Sequence, residues 1–193
     1  FKISGAIFSM AEPFVIRTEN LDLVNSNARH IQLLREEEEL FEKEYGWKVE
    51  KGYLEFPEAL ELIHSLLAHG PGFGEWGFYL FVHRKDKALI GAGGFKGRPN
   101  NGVVEIGYGT AEKYRGKGFA TEAARAFLHF SFRDSSIIKV VAHTRPEINA
   151  SNHILNKLKF VRTDDYVDPV DGLVWRYEMT RSMYFQKKRA GEL

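Results

Sequence analysis

The sequence predicts an α/β fold, a mixed β-sheet flanked by helices, and three observations lead there. Strand-like runs at 76–83, 88–95 and 103–110 are joined by short, turn-rich connectors, the pattern of an antiparallel meander. A helical run then leads into a nearly continuous apolar stretch at 137–144, as expected of a strand paired in parallel and covered on both faces. The length, 193 residues, with 44% hydrophobic and 27% charged residues, fits a single globular domain. That domain is expected to span 1–193, with 1–13 as an N-terminal arm or edge strand and 183–193 as a solvated basic tail.

Taken in order, 14–25 reads as one strand because β-branched and apolar residues alternate along it. The next stretch, 28–45, reads as one helix, with Ile31, Leu34, Leu40 and Phe41 near helical spacing and Glu36 to Glu39 as a solvated face. Pro57 suits the first turn of a helix over 58–69, striped by Leu60, Ile63, Leu66 and Leu67 and ended by Gly70-Pro71-Gly72-Phe73-Gly74. After the three meander strands, Phe119, Ala123, Phe127 and Phe130 form the apolar face of a helix over 118–132. The strand at 137–144, a short helix at 151–159 and strands at 160–167 and 173–182 complete the order β-α-α-β-β-β-α-β-α-β-β.

Composition removes several function classes. Lys and Arg number 27 against 26 Asp and Glu, a net charge of +1, so direct nucleic-acid binding is not expected. No run approaches the ~18 apolar residues of a membrane span, and 1–11 is shorter than the usual signal peptide of ~15–30 residues. A cytoplasmic location, with no membrane partner, is the expectation. Zero cysteines exclude disulfide scaffolds, Cys-ligated zinc, iron–sulfur clusters and thiol nucleophiles. The seven histidines lack metal-ligand spacing, so no metal is expected. Nothing in the sequence fixes an oligomeric state.

The informative segment runs from the strand 103–110 through Tyr114-Arg115-Gly116-Lys117-Gly118-Phe119-Ala120 directly into a helix. Amides at a helix start have no intrahelical acceptor and sit at the positive end of the macrodipole, so such a junction can hold a phosphate. Gly116 and Gly118 allow close approach of the backbone, and Arg115 and Lys117 add charge. An ordinary glycine-containing helix start is the local alternative. The segment is not a Walker A loop, because Gly118 rather than Ser or Thr follows Lys117. Nor is it a dinucleotide fingerprint, because Thr121 holds the third glycine place and an antiparallel meander precedes it.

The spacing Arg115, Gly118, Ala120, preceded by Glu105-Ile106-Gly107-Tyr108, resembles the acetyl-CoA site of the GCN5-related N-acetyltransferases (GNAT). The wording is most similar to the RimJ/RimL-like branch of ribosomal-protein N-terminal acetyltransferases, as is Ala150-Ser151-Asn152-His153-Ile154-Leu155-Asn156-Lys157-Leu158-Lys159-Phe160. The resemblance covers about 14–181 and implies a sheet splayed at its centre, with the pantetheine arm of acetyl-CoA as a pseudo-strand. Under it, backbone groups near Gly109, Thr110 and Ala111 pair with that arm, amides from Arg115 through Gly116, Lys117, Gly118 and Phe119 to Ala120 hold the pyrophosphate, and Ser151 and Asn152 lie near the thiol. Two positions depart from the branch pattern. Ile148 stands where Asn is usual, with Asn149 beside it, and Lys159 replaces the usual glycine, which implies a different turn.

The function implied is acetyl transfer from acetyl-CoA, as cosubstrate, to a primary amine by direct attack in a ternary complex. A protein α-amine is about a tenth neutral at pH 7 and a lysine far less, so a base assists. Glu105, late in its strand, is the expected base; Ser151 is the expected contact to sulfur, with Tyr108 or Tyr114 as alternative proton donors. Phe73, Trp76 and Phe78 are candidates for an acceptor pocket, with core packing as the other reading. A protein or peptide N-terminus is the leading acceptor. A small amine, and a non-catalytic acyl-CoA-binding module, are the alternatives.

Overall fold

The computed structural model describes residues 13–55, 57–68, 73–169 and 172–193. The expected N-terminal arm lies almost wholly outside them, as does Gly70-Pro71-Gly72. Within them, nine strands form one mixed sheet in the order β1-β2-β4-β5-β6-β7-β9-β8, with β3 paired to β5. Strands β4 (Phe78–His83), β5 (Ala88–Phe95) and β6 (Val103–Thr110) make the expected antiparallel meander. The parallel pair is β6 with β7 (Lys139–Thr144). Strands β8 (Val161–Asp168) and β9 (Gly172–Thr180) close one side, and β3 (Lys48–Val49) is a two-residue addition.

Two expected elements divide, each for a local reason. The run 14–25 is a hairpin of β1 (Val15–Arg17) and β2 (Leu21–Asn25), turned at Thr18-Glu19-Asn20. Thr18 and Asn20 both donate to the carboxylate of Glu122, which fastens the turn to a helix start. The run 28–45 breaks at Glu37 into α1 (Ala28–Glu36) and α2 (Glu38–Tyr45). The Glu37 N–H closes α1 on the Leu33 carbonyl, and Glu38 and Glu39 then sit in the first turn of α2, where the positive helix end favours them.

Helices cover both sheet faces. Strands β4 and β5 receive α1, α2 and α3 (Ala59–Ala68) on one side, through Ile31, Leu34, Phe41 and Leu60 against Leu80 and Leu89. The other side receives α4 (Phe119–Arg133), whose Ala123, Ala124, Phe127 and Leu128 are fully buried. Trp76 packs on Phe95 and Phe130 with ring centres 4.9 and 5.3 Å apart, and Phe78 packs against the first cluster. The core reading therefore holds for both aromatics.

The C-terminal tail is corrected. Residues Arg181–Arg189 form α6, capped by Thr180, and Tyr184 is buried against Phe132 with its hydroxyl 2.8 Å from His129 Nδ1. Lys159 is a second correction, since its φ of +63° gives the left-handed turn that glycine usually supplies. The Phe160 N–H returns to the Leu155 carbonyl, so α5 (Ala150–Lys157) ends in a Schellman arrangement with lysine in the strained place.

His30 gives the fold a pH dependence. It is 1% exposed, its Nδ1 accepts from the Asn27 N–H, and burial pushes its pKa down to about 4, against a smaller opposing pull from Glu44. Below pH ~6.5 the unfolded chain binds a proton there that the folded chain refuses, so stability falls as pH falls toward 4. Urea titrations are expected to show a loss of about 2 kcal/mol from this residue between pH ~7.5 and ~5. His30→Gln, which retains an acceptor for the cap, is expected to flatten that slope; an unchanged slope would assign it elsewhere.

Candidate functional site

The site begins where β6 and β7 stop pairing. Their register runs Val103↔Lys139, Val104↔Val140, Glu105↔Val141 and goes no further, although β6 continues to Thr110 and β7 to Thr144. Beyond Glu105, β6 is held only by β5. The Glu105 carbonyl accepts from the Lys96 N–H and the Ala111 N–H donates to Ile90, so both residues point their backbone at β5. Strand alternation then aims the N–H and C=O of Tyr108 and Thr110 into the opening, an unpaired strand edge inside the sheet.

This alters the expected backbone set. Gly109 shares the β5-facing parity, and both Ala111 groups are engaged, its N–H with Ile90 and its carbonyl with the Tyr114 N–H. Thr110 keeps its place, with its carbonyl loosely held by Arg115 Nε at 3.4 Å. Tyr108 enters through its main chain. Its side chain lies on the α4 side, where the hydroxyl is buried without a hydrogen-bond partner among the described residues and burial raises its pKa.

After β6 the chain makes one 3-10 turn, Glu112–Tyr114, and passes through Arg115, Gly116, Lys117 and Gly118 into α4. Gly116 and Gly118 have φ of +72° and +88°, and a Cβ on either would meet nothing within 4 Å. Gly118 caps α4 without a side-chain hydrogen bond, and the first intrahelical amide is that of Glu122. The amides of Phe119, Ala120 and Thr121 are thus left for an outside acceptor beside exposed Arg115 and Lys117. Tyr114 anchors the loop by donating to Asp86 at 2.8 Å, and burial and then Asp86 push its pKa up to about 12.

Glu105, Gly107 and Gly109 share the sheet face opposite α4. A Cβ on Gly107 or Gly109 would also meet nothing within 4 Å, so an open trough runs along β6 from Glu105. Glu105 Oε1 lies 2.6 Å from Lys96 Nζ and 3.0 Å from His143 Nδ1. Burial raises the Glu105 pKa, but His143 and Lys96 together outweigh it and hold the carboxylate below its usual range. The His143 ring stacks on Tyr166 at 5.2 Å. Sequence reasoning missed both Lys96 and His143; the one signal for His143 was a polar residue directly after the apolar run Val140-Val141-Ala142.

The second signature serves mostly the fold. Asn149, not Ser151, caps α5, and Ile148 is 94% exposed. Buried Asn152 accepts from the Asn149 N–H and donates to Thr144 Oγ1 at 2.7 Å, so its amide clasps α5 to the end of β7. Ser151 lies in the first turn of α5, half-buried. Among the described residues no group of His, Asp and Glu could hold a metal, and no helix is long and apolar enough to cross a membrane.

Comparison with known proteins matches this geometry to a family. A model of the acetyltransferase (GNAT) domain matches residues 25–161. The uncharacterized N-acetyltransferase p20 of Bacillus licheniformis is 31% identical over 125 residues, and the match spans 64% of this chain and 64% of that protein. Among solved structures, the chain is similar to RimL, a ribosomal L7/L12 α-N-protein acetyltransferase in complex with coenzyme A, with a TM-score of 0.66, 18% identity, and coverage of 88% of this chain and 99% of that one. The spermidine/spermine N-acetyltransferase SpeG from Vibrio cholerae gives a TM-score of 0.64 at 17% identity, covering 88% of this chain and 98% of that one. At such identities these two share a fold with this chain, whereas the family model covers well over half its length: the chain belongs to the GNAT family of acetyltransferase domains.

Proposed function

We propose that this protein transfers the acetyl group of acetyl-CoA to a primary amine, with a protein or peptide N-terminus as acceptor. One observation carries the reading: β6 parts from β7 directly before a glycine loop and a helix start. The residues present suit acetyl-CoA. The amides of Phe119 to Thr121 beside Arg115 and Lys117 suit a diphosphate, and the free edge at Tyr108 and Thr110 suits an arm built of amides. Bound there, acetyl-CoA would supply the activated acetyl group. Ser151, near the end of β7, remains the proposed contact to sulfur.

The α-amine reading is supported by charge around the trough. Glu105 is matched by Lys96 and His143, and Glu178 by Lys139 at 2.6 Å and Arg176 at 2.8 Å. Such balance offers no acidic excess for a polyamine, and an α-amine presents far more neutral nucleophile at pH 7 than a lysine does.

Thiol release from acetyl-CoA, followed with a disulfide reagent, tests this against peptides with free N-termini, lysine-rich N-blocked peptides and small amines. The sequence has no cysteine, so the protein adds no background. Release with the first pool is the expected result. Release only with small amines would move the acceptor class, and silence in all three with intact acetyl-CoA binding would favour a binding module.

A further inference from the structure

We infer that His143 is the group that takes the proton from the acceptor amine, and that Glu105 is its positioning residue; the inference rests on the transferase reading above. The side chain of His143 is 9% exposed, and both of its ring nitrogens are buried without an aligned hydrogen-bond partner among the described residues, Nδ1 having only a close contact to Glu105 Oε1 at 3.0 Å. A buried polar atom left unsatisfied is costly, and such atoms mark places where a ligand completes the bonding. The position fits. Continuing the register Glu105↔Val141 would set His143 opposite Gly107, and there the strands have parted and the space over Gly107 is open. His143 thus flanks the trough at the mouth of the splay.

The neighbours divide the labour between the two residues. Nδ1 of His143 faces Glu105 Oε1 at 3.0 Å, and a carboxylate at that distance favours a ring hydrogen on Nδ1, which in the neutral ring leaves the Nε2 lone pair for the amine. Tyr166 of β8 stacks on the ring and fixes its plane. Lys96, directly after β5, pairs with the same Glu105 oxygen at 2.6 Å, and Arg176 of β9, registered opposite His143, is bound to Glu178. These are the charged and titratable groups around the imidazole. Glu105, held as an anion by the Lys96 ammonium and the nearby His143 ring, is a weak proton acceptor and a good orienting anion. An imidazole is the side chain that accepts and releases protons near neutrality.

In the step, the amine nitrogen bonds to the thioester carbon, and the proton it sheds passes to His143 Nε2. The carbon–sulfur bond breaks with its electron pair on sulfur, and the imidazolium returns the proton to the thiolate. Amine and thioester become amide and thiol with no net proton change.

His143→Gln is expected to lower kcat for the peptide pool by about tenfold or more at pH 7, leaving acetyl-CoA affinity by calorimetry within about twofold. The deficit is expected to persist at pH ~9, where the free α-amine is already neutral, because the nitrogen still sheds a proton as it bonds to carbon. Independently of activity, nitrogen NMR of the His143 ring in the protein without substrate is expected to show the hydrogen mainly on Nδ1 in the parent and a redistribution toward Nε2 in Glu105→Gln, because the anion at 3.0 Å is gone. Unchanged kcat in His143→Gln, with a tenfold loss in Glu105→Gln, would make Glu105 the base and overturn the inference. An unchanged ring tautomer would remove Glu105 as its partner. A parent protein that binds acetyl-CoA but acetylates no amine would instead overturn the transferase reading, and the inference with it.

Discussion

Replacing Gly118 with valine is expected to weaken acetyl-CoA binding by roughly a hundredfold or more, since hydrogen bonds to charged groups contribute about 1.5–3 kcal/mol each and the branched side chain displaces at least two. Gly118 has φ of +88° and opens on empty space, so the folded protein without ligand meets no clash. The added methyls occupy the room through which a phosphate reaches the amides of Phe119 to Thr121. Backbone strain is the second effect, because a β-branched residue at positive φ costs on the order of 1–3 kcal/mol. Gly118→Asn separates the two, as asparagine tolerates the left-handed region and projects less bulk. An intermediate loss is expected for asparagine and near-complete loss for valine, measured by calorimetry beside thermal melts. Undiminished affinity in a folded valine variant would mean that the diphosphate sits elsewhere.

The largest expected effect on stability is at Phe127. This residue is fully buried on α4 and contacts Tyr79, Phe81 and Phe95 with ring centres 5.3, 5.9 and 5.3 Å away. It therefore pins the helix that carries the loop to the middle of the meander. Phe127→Ala is expected to cost about 3–5 kcal/mol, the sum of lost transfer energy and the cavity left behind. Because α4 also presents the Phe119 to Thr121 amides, acetyl-CoA should restore part of the lost melting temperature by mass action. Phe127→Leu, which keeps most of the volume, should lose much less. A small loss for alanine would show that α4 is held mainly from its ends, through Glu122 and the contacts around Phe132.

How much was legible in the sequence follows from the range of the forces involved. Alternation and turn residues placed β4, β5 and β6, and the helical stripe of Phe119, Ala123 and Phe127 placed α4, because these signals are local. The loop was legible as a candidate because its glycines and basic residues stand at a strand-to-helix junction, where backbone amides lack intrahelical acceptors. The break at Glu37 was hidden by a helical stripe that runs through it. α6 was hidden by its polarity, since among its residues only Tyr184 is buried. The partners of Glu105 were out of reach for a different reason. Lys96 directly follows β5 and His143 lies on β7, and only the sheet brings them to one carboxylate. The use of Asn152 as a clasp was hidden for the same reason, because it depends on Thr144 being within 2.7 Å.

The central claim is that the opening between β6 and β7 receives acetyl-CoA as a further strand, and amide hydrogen exchange read residue by residue by NMR tests it most directly. In the free protein the amides of Tyr108 and Thr110 face the opening and are expected to exchange fast, while those of Gly107 and Gly109, bonded to β5, exchange slowly. With saturating acetyl-CoA, Tyr108 and Thr110 should become protected and the two glycines should change little. Tyr108 and Thr110 left unprotected in a saturated protein would contradict the account, because the ligand would then be bound without using the edge that the splay exposes.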